Sequence, residues 1–370
     1  MAEFSSTILL LFLVALFAAL LVVFIWLLLI RRYTPFVLER LLENPILAPD
    51  PMHPWESQAV FNPAALVHDG QVHLFYRALG GDGVSRVGHA ASDDGIHFGE
   101  RTLAYEPGPG FIAPQHKTSK EFSYQPGLYA SGGGWGGVED PRAVKTETHV
   151  YLSFGIFENW QSLRLALTSL PLGHMAEKLW QWAPHFFLSP PGETHKNWVL
   201  FPEKIRGRFA LLHALSPEIL IEYFDDLEEV RTRPVQSNNR RSGRAGAWDA
   251  FVRGAGAPPI KTPHGWLLLY HGMDPARGPG YNVGAMLLDL EDPTKILYRT
   301  NRPILEPTTW YENDWKPGVV YASGAVVLGD DLIVYYGAGD KYVAAAKAPL
   351  NDFLKKLRSR EHNTLTKVAA

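Results

Sequence analysis

The sequence predicts an all-β protein, a radial array of hairpin blades behind one transmembrane helix. Two observations predict the array. A strand–turn–strand plan recurs at intervals of roughly 60 to 80 residues, and turn formers are abundant, with 33 glycines and 28 prolines in 370 residues against a usual combined share of about 12%. The third observation is the uncharged apolar run at residues 7–30, long enough at ~1.5 Å per residue to cross a hydrocarbon core of roughly 30 Å.

Residues 1–32 read as an anchor rather than a cleaved signal. The run exceeds a signal-peptide core, no basic stretch precedes it, and Arg31-Arg32 rather than small residues follow it. Arg31, Arg32 and Arg40 lie after the helix and only Glu3 and the amino group before it, which by the positive-inside rule places the body on the cytoplasmic side. The expected localisation is a single-pass membrane protein with its body on the cytoplasmic side. Residues 33–56 read as a juxtamembrane linker, a short helix over residues 36–42 and then a proline-rich lead-in from Pro45 to Pro54.

Residues 57–370 carry the array. Its first copy runs from residues 62–67 through His68-Asp69-Gly70 into residues 72–77. The others pair residues 139–144 with 150–154, 201–205 with 209–213, 257–261 with 266–271, and 323–328 with 332–336. Residues 108–137, which end glycine-rich, and residues 229–253, with Arg231, Arg233, Arg240, Arg241 and Arg244, break the plan and read as long loops. The glycine run lacks the Lys-Ser/Thr and the helix of a phosphate-binding loop. A short amphipathic helix over residues 350–357 caps the array.

Composition excludes several functions. Lys+Arg 35 against Asp+Glu 38 leave a net charge of −3, so no global field gathers nucleic acid. The absence of cysteine removes disulfides, thiol nucleophiles and thiolate metal sites. With no His-Glu-X-X-His phrase and 14 scattered histidines, no metal is expected.

In a radial array the residues that start each inner strand meet at one end of the central channel. The five copies deliver Asn62, the Asp140–Arg142 pair, Glu203, Lys261 and Ser323, a polar collection ahead of apolar strands. Such convergence suits a sugar or phosphate pocket. Asn62 and Asp140 before proline also fit simple turn capping. A buried Asp140 beside Glu139 has reason to hold a proton and act as a general acid, with Arg142 pulling the other way. Of the many aromatic residues, Tyr281, Tyr336 and Trp198 stand nearest the expected site loops.

Longer phrases then match a family. Gly137-Val138-Glu139-Asp140-Pro141-Arg142, Phe75-Tyr76-Arg77-Ala78, the run from His195 through Phe201-Pro202-Glu203-Lys204-Ile205, the run from Gly254 through Ile260-Lys261-Thr262, Tyr270-His271-Gly272 and Tyr335-Tyr336-Gly337-Ala338-Gly339-Asp340 resemble glycoside hydrolase family 130, the β-mannoside phosphorylases and their hydrolytic relatives. The resemblance spans nearly everything after the linker. It implies a five-bladed β-propeller and inverting cleavage of a β-mannosidic bond, with Asp140 as sole protein acid acting by way of the mannose 3-hydroxyl. Inorganic phosphate is then the nucleophile and co-substrate, no cofactor is needed, and the partner is a β-mannoside oligosaccharide or glycoconjugate. A phosphate dianion needs cations to hold it in line, where hydrolysis needs a second carboxylate.

By motif position Lys196 and Lys261 are the expected phosphate ligands. Asn62, Arg77, Arg142, His271, Tyr281 and Asp340 are the expected substrate-binding residues. One departure favours hydrolysis: Leu212-His213 is followed by Ala214, where phosphorylases of the family carry a phosphate-binding Arg. Glu203, Glu218 or Asp274 would then be the base. Mannosyl transfer from a sugar nucleotide and carbohydrate binding without turnover are the further alternatives.

Overall fold

The structure, a computed structural model, describes residues 13–26, 36–108, 136–159, 162–238, 242–278 and 280–359. It comprises two units, Met1–Val37 and Leu38–Ala370. The first contributes one described helix, residues 13–26, with its apolar side chains exposed. Among the described residues no helix is long and apolar enough to cross a membrane.

That finding corrects the transmembrane anchor over residues 7–30 and, with it, the membrane partner, the single-pass localisation and the cytoplasmic placement argued from it. Residues 7–12 and 27–30, like Arg31 and Arg32, lie outside the described residues. Arg40 has a different task from the one expected. Its Nε sits 2.8 Å from Oε1 of the fully buried Glu312, an internal ion pair rather than a membrane-flanking charge. The helix expected over residues 36–42 is likewise replaced by a strand, because Glu39 and Arg40 find backbone partners at Lys347 and Ala346.

The second unit is mostly β. Strand β1 (Glu39–Arg40) precedes β2 (Ala59–His68), β3 (Gln71–Leu79), β4 (Val84–Ser92) and β5 (Thr102–Tyr105). Next come β6 (Gly136–Lys145), β7 (His149–Asn159), β8 (Ser162–Pro171) and β9 (Phe186–Phe187), then β10 (Val199–Leu200), β11 (Phe209–Ala214) and β12 (Leu220–Phe224). The chain continues through β13 (Phe251–Ala255), β14 (Ile260–Thr262), β15 (Gly265–Met273), β16 (Asn282–Leu288) and β17 (Ile296–Arg299) to β18 (Val320–Leu328), β19 (Asp331–Ala338) and β20 (Tyr342–Pro349). A helix, Leu350–Leu357, follows, burying Phe353, Leu354 and Leu357.

The expected five-bladed propeller is corrected at the level of the sheets. Among the described residues the strands hydrogen-bond into four sheets, of four, three, five and eight strands. The largest arises because β4 and β6 pair in parallel, Val84 with Gly136 and Ser85 with Gly137, which merges the first two hairpin units into one ladder. Glycine is required at that seam: Gly137 has φ 105°, and a Cβ there would lie 2.2 Å from the Ser85 carbonyl oxygen.

Alternation explains why the strands are buried on both faces. Along β3, Val72, Leu74, Tyr76 and Ala78 pack with Val326, Ile333, Tyr335 and Val343 of β18 to β20, whereas Phe75 packs with Val138, Leu152 and Phe154 of β6 and β7. Further apolar clusters join β6–β8 to β10–β12, and β10–β11 to β13, β15 and β16. Each hairpin unit therefore lends an apolar face to its neighbour, and their polar irregularities are left to gather elsewhere.

Candidate active site

Those irregularities are β-bulges, repeated at equivalent places. The register slips between Phe61 and Ala64 in β2, Glu139 and Arg142 in β6, Val252 and Gly254 in β13, and Ala322 and Gly324 in β18. A bulge leaves a residue unpaired and re-aims its side chain. In β2 and β6 the bulge is Asn62-Pro63 and Asp140-Pro141, and proline supplies no N–H for the ladder to lose. Asn62 and Asp140 have φ 49° and 50°, the left-handed region that Asn and Asp tolerate best among side-chain-bearing residues. Asn197, just before β10, has φ 64°, and Arg253 is aimed by Gly254 at φ 138°.

Hydrogen bonds tie these positions together across the fold. Asn62 Nδ2 donates to Asp140 Oδ1 at 2.7 Å, and Ser323 Oγ donates to the Pro63 carbonyl at 3.0 Å. Arg142 Nη2 donates to the Tyr321 hydroxyl at 3.1 Å, the Tyr321 hydroxyl donates to Asn197 Oδ1, and Asn197 Nδ2 donates to the Arg253 carbonyl at 3.0 Å. Asn62, Asp140, Asn197 and Arg253 thus line one small cavity with Tyr281 and Tyr321, and Lys316 and Asp340 line it as well.

Asp140 is held in a network of cations. Arg77, fully buried, donates from Nη1 to Asp140 Oδ1 and from Nη2 to Glu139 Oε1, both at 3.1 Å, while its Nε donates to Ser85 Oγ at 2.8 Å. Lys196 Nζ reaches the other oxygen of Glu139 at 3.2 Å. Glu139 is enclosed by these cations, and the Asp140 side chain keeps 14% of its surface open. Burial acts to raise the Asp140 carboxyl, but the charges of Arg77 and Lys196, the bond from Asn62 and the Arg142 charge outweigh it and hold the pKa at about 2. The expectation that Glu139 would keep Asp140 protonated meets a different arrangement: the two carboxylates share a guanidinium.

The other expected residues divide into those brought to the cavity and those placed elsewhere. Lys196, Tyr281 and Asp340 line it, and Asp340 is held by Lys316 Nζ at 2.7 Å. Arg142 is a staple. It donates to the backbone carbonyls of Gly256, Asp140 and Pro141 at 2.6, 3.0 and 3.1 Å, which fixes the Asp140 bulge. His271 is buried, stacked on Tyr321 with ring centroids 4.2 Å apart, and burial, with the Arg142 charge added, pushes its imidazole down to about 3. Tyr336 is buried with its hydroxyl on Glu312 at 3.0 Å.

Lys261 and Glu203 pair with each other at the surface, their side chains 50% and 52% exposed. Lys261 pairs across the sheet with Trp266, five residues along β15 from His271, which is about 17 Å at ~3.4 Å per residue. Glu218 is exposed on a turn, and Asp274 caps a short 3-10 helix by accepting from Ala276 N at 3.0 Å. Neither lines the cavities around Asp140.

Sequence reasoning passes over Asn197, Arg253, Lys316 and Tyr321. For the first two a signal exists, a polar residue at or next to a position that admits positive φ, as at Asn62 and Asp140. A larger cavity of about 210 Å³ adjoins the first, with Lys196 and Arg253 on the border of both. Arg253 also lies over the Tyr281 ring, 4.9 Å from its centroid. Elsewhere Asp50, His53 and Glu56 bring potential metal ligands together. Glu56 there already accepts from the Tyr76 hydroxyl at 2.7 Å and from Arg101 at 3.4 Å, and that guanidinium disfavours a second cation.

Comparison with known proteins adds the following. A family profile described as beta-1,4-mannooligosaccharide phosphorylase matches residues 37–359. A 1,2-beta-oligomannan phosphorylase from Thermoanaerobacter sp. (strain X514) is 34% identical over 326 residues, covering 85% of this chain and 98% of the relative. Among solved structures, a beta-1,2-mannobiose phosphorylase from Listeria innocua, in complex with beta-1,2-mannobiose, is similar with TM-score 0.65 and 25% identity over 86% of this chain and 99% of that one. A putative glycoside hydrolase from Bacteroides ovatus ATCC 8483 gives TM-score 0.66 and 26% identity over 87% and 98%.

Proposed function

The chain belongs to glycoside hydrolase family 130, and from that premise we propose that it is an inverting β-mannoside phosphorylase with Asp140 as the proton donor. The relatives' names, 1,2-beta-oligomannan and beta-1,2-mannobiose phosphorylase, support β-mannosides as substrates and make the β-1,2 linkage the first to assay. The observation that carries the reading is the placing of Asp140 beside two cations, Lys196 and Arg253, on the wall its cavity shares with the larger one, while the other acid of that cavity, Asp340, is held in an ion pair by Lys316. Glu203, Glu218 and Asp274, the carboxylates offered as a hydrolytic base, do not line these cavities.

In the reaction a phosphate oxygen attacks the anomeric carbon as the glycosidic C–O bond breaks. Asp140 passes its proton through the mannosyl 3-hydroxyl to the leaving oxygen, and inversion gives α-mannose 1-phosphate. Phosphate is the co-substrate. Its dianion, held by Lys196 and Arg253, offsets the charges that keep Asp140 deprotonated in the free site and so restores its proton. Arg253 stands in for the arginine absent after His213.

The deciding assay incubates the purified protein with β-1,2-mannobiose with and without phosphate. Mannose 1-phosphate formed only when phosphate is present is the expected outcome; equal release of free mannose without it moves the assignment to hydrolysis. Arg253→Met is expected to raise the phosphate KM about ten-fold or more, the loss of one hydrogen bond to a charged group of about 1.5–3 kcal/mol. Lys261→Met is expected to leave that KM within about two-fold, because Lys261 and its charge partner, Glu203, lie together at the surface. The reverse ranking would return Lys261 to the phosphate site.

A pH profile tests the proton donor. Lys196 is one of the charges that lower Asp140, so Lys196→Met should raise the Asp140 pKa and move the alkaline limb of kcat to higher pH. An unmoved limb, or one moved to lower pH, would show that a different group delivers the proton.

A further inference from the structure

Tyr321 lines the cavity of Asp140 but has no task in the displacement itself. Its hydroxyl stands midway along a chain of hydrogen bonds in which every direction is fixed. Arg142 can only donate, so the Tyr321 oxygen accepts from Nη2 at 3.1 Å and its single proton goes to Asn197 Oδ1. With Oδ1 engaged, the Asn197 amide presents Nδ2 to the Arg253 carbonyl, which can only accept, at 3.0 Å. The guanidinium at the head polarises the bonds that follow it. Burial pushes the Tyr321 phenol up, so the hydroxyl keeps the proton that the chain requires.

Each end of the chain grips a bulge. At one end Arg142 holds the carbonyls of Asp140 and Pro141. At the other Asn197 holds the Arg253 carbonyl and packs so closely on Gly254 that a Cβ there would lie 2.7 Å from Asn197 Cβ. The proton donor thus belongs to the bulge of β6 and the phosphate cation to that of β13, in different sheets, and Tyr321 joins them from β18 of a third. The Tyr321 ring adds a second path. It is tilted against Tyr281 with centroids 6.5 Å apart, and the Arg253 guanidinium lies over Tyr281. Stacking on His271 fixes the plane of the ring and so aims its hydroxyl.

We propose that Tyr321 is a positioning residue that holds Arg253 in register with Asp140, so that attack at the anomeric carbon and protonation of the leaving oxygen are aligned in one complex. It acts through Arg142 and Asn197 rather than on the substrate. The proposal rests on the phosphorylase reading and adds what sets the spacing of its two halves.

Tyr321→Phe keeps the ring and its stack and removes only the hydroxyl. Initial rates over a range of phosphate concentrations, at saturating β-1,2-mannobiose, are compared for wild type, Tyr321→Phe, Arg253→Met and the double variant. Tyr321→Phe is expected to lower kcat/KM for phosphate about ten-fold or more, with the β-1,2-mannobiose KM within about two-fold and cooperative thermal unfolding retained. In the Arg253→Met background its effect should shrink to about two-fold, because no guanidinium is left to hold in register. Wild-type kinetics in Tyr321→Phe, or its full effect in the double variant, overturns the proposal. A rise in the β-1,2-mannobiose KM that matches the loss toward phosphate also overturns it and makes the hydroxyl a sugar ligand. Asn197→Gly breaks the same chain one link on, at a φ of 64° that glycine suits. It should give a loss of similar size, with little added when combined with Tyr321→Phe; additive losses overturn the proposal. Equal release of mannose by the wild type without phosphate sinks the phosphorylase reading, and this proposal with it, a result distinct from each of those.

Discussion

Asp140→Asn is expected to lower kcat for phosphate-dependent cleavage by about 10²–10⁴-fold, the usual contribution of a positioned general acid. The substitution keeps the shape and leaves Oδ1 able to accept from Asn62 and Arg77, so sugar binding and the unfolding curve should be close to wild type. The loss has a chemical signature. A β-mannosyl substrate whose leaving group needs no proton, such as a nitrophenolate, should recover much of the rate, because only protonation has been removed. A D140N enzyme that keeps more than about a tenth of its activity, or that gains nothing from the better leaving group, would remove Asp140 from the role.

Arg77→Met is expected to cost about 3–5 kcal/mol of stability, because it strands the buried Glu139 and the neighbouring Asp140 around a missing guanidinium. Urea unfolding measures it. Lysine is not a substitute, since one ammonium cannot reach Ser85, Asp140 and Glu139 together. Adding Glu139→Gln to Arg77→Met should return part of the loss by removing the stranded charge, and strict additivity of the two would show that the pair is not coupled. The same cluster sets an acid limit. The pKa of Asp140 is depressed to about 2, so its stabilisation is present above the ordinary carboxylate pKa of about 3.9 and is lost as the pH falls toward 2.

Much of this is legible in the residues. The alternation in residues 72–77 and 332–336 and the turns at His68-Asp69-Gly70 and Gly329-Asp330-Asp331 state the hairpins that become β2–β3 and β18–β19. Asn62-Pro63 and Asp140-Pro141 announce the bulges that aim two site residues. The third and fourth units mislead for one physical reason. Pattern alone selects the longest apolar stretch leading into a hairpin, which places the inner strands at residues 201–205 and 257–261. The residues that line the cavity there, Asn197 just before β10 and Arg253 in β13, lie upstream of those stretches, and Glu203 and Lys261 pair at the surface instead. Hydropathy at residues 7–30 reports how apolar the run is and not whether it forms a spanning helix, and among the described residues no helix is long and apolar enough to cross a membrane. The merging of two hairpin units through Gly137 depends on a backbone approach that no periodicity encodes.

The two-residue strand β1 sets the timetable of folding. Glu39 and Arg40 pair with Lys347 and Ala346, and Arg40 also engages Glu312, so an early segment completes a sheet whose other strands are made some 300 residues later. At ~5–20 residues per second, the interval between Arg40 and Ala346 leaves the ribosome-bound segment without its partners for on the order of 15–60 s. During that time its own backbone groups and the side chain of Arg40 are open to other chains. That sheet closes only once Ala346 and Lys347 have been made, which makes its closure a long-range docking event, slow by topology rather than by chemistry.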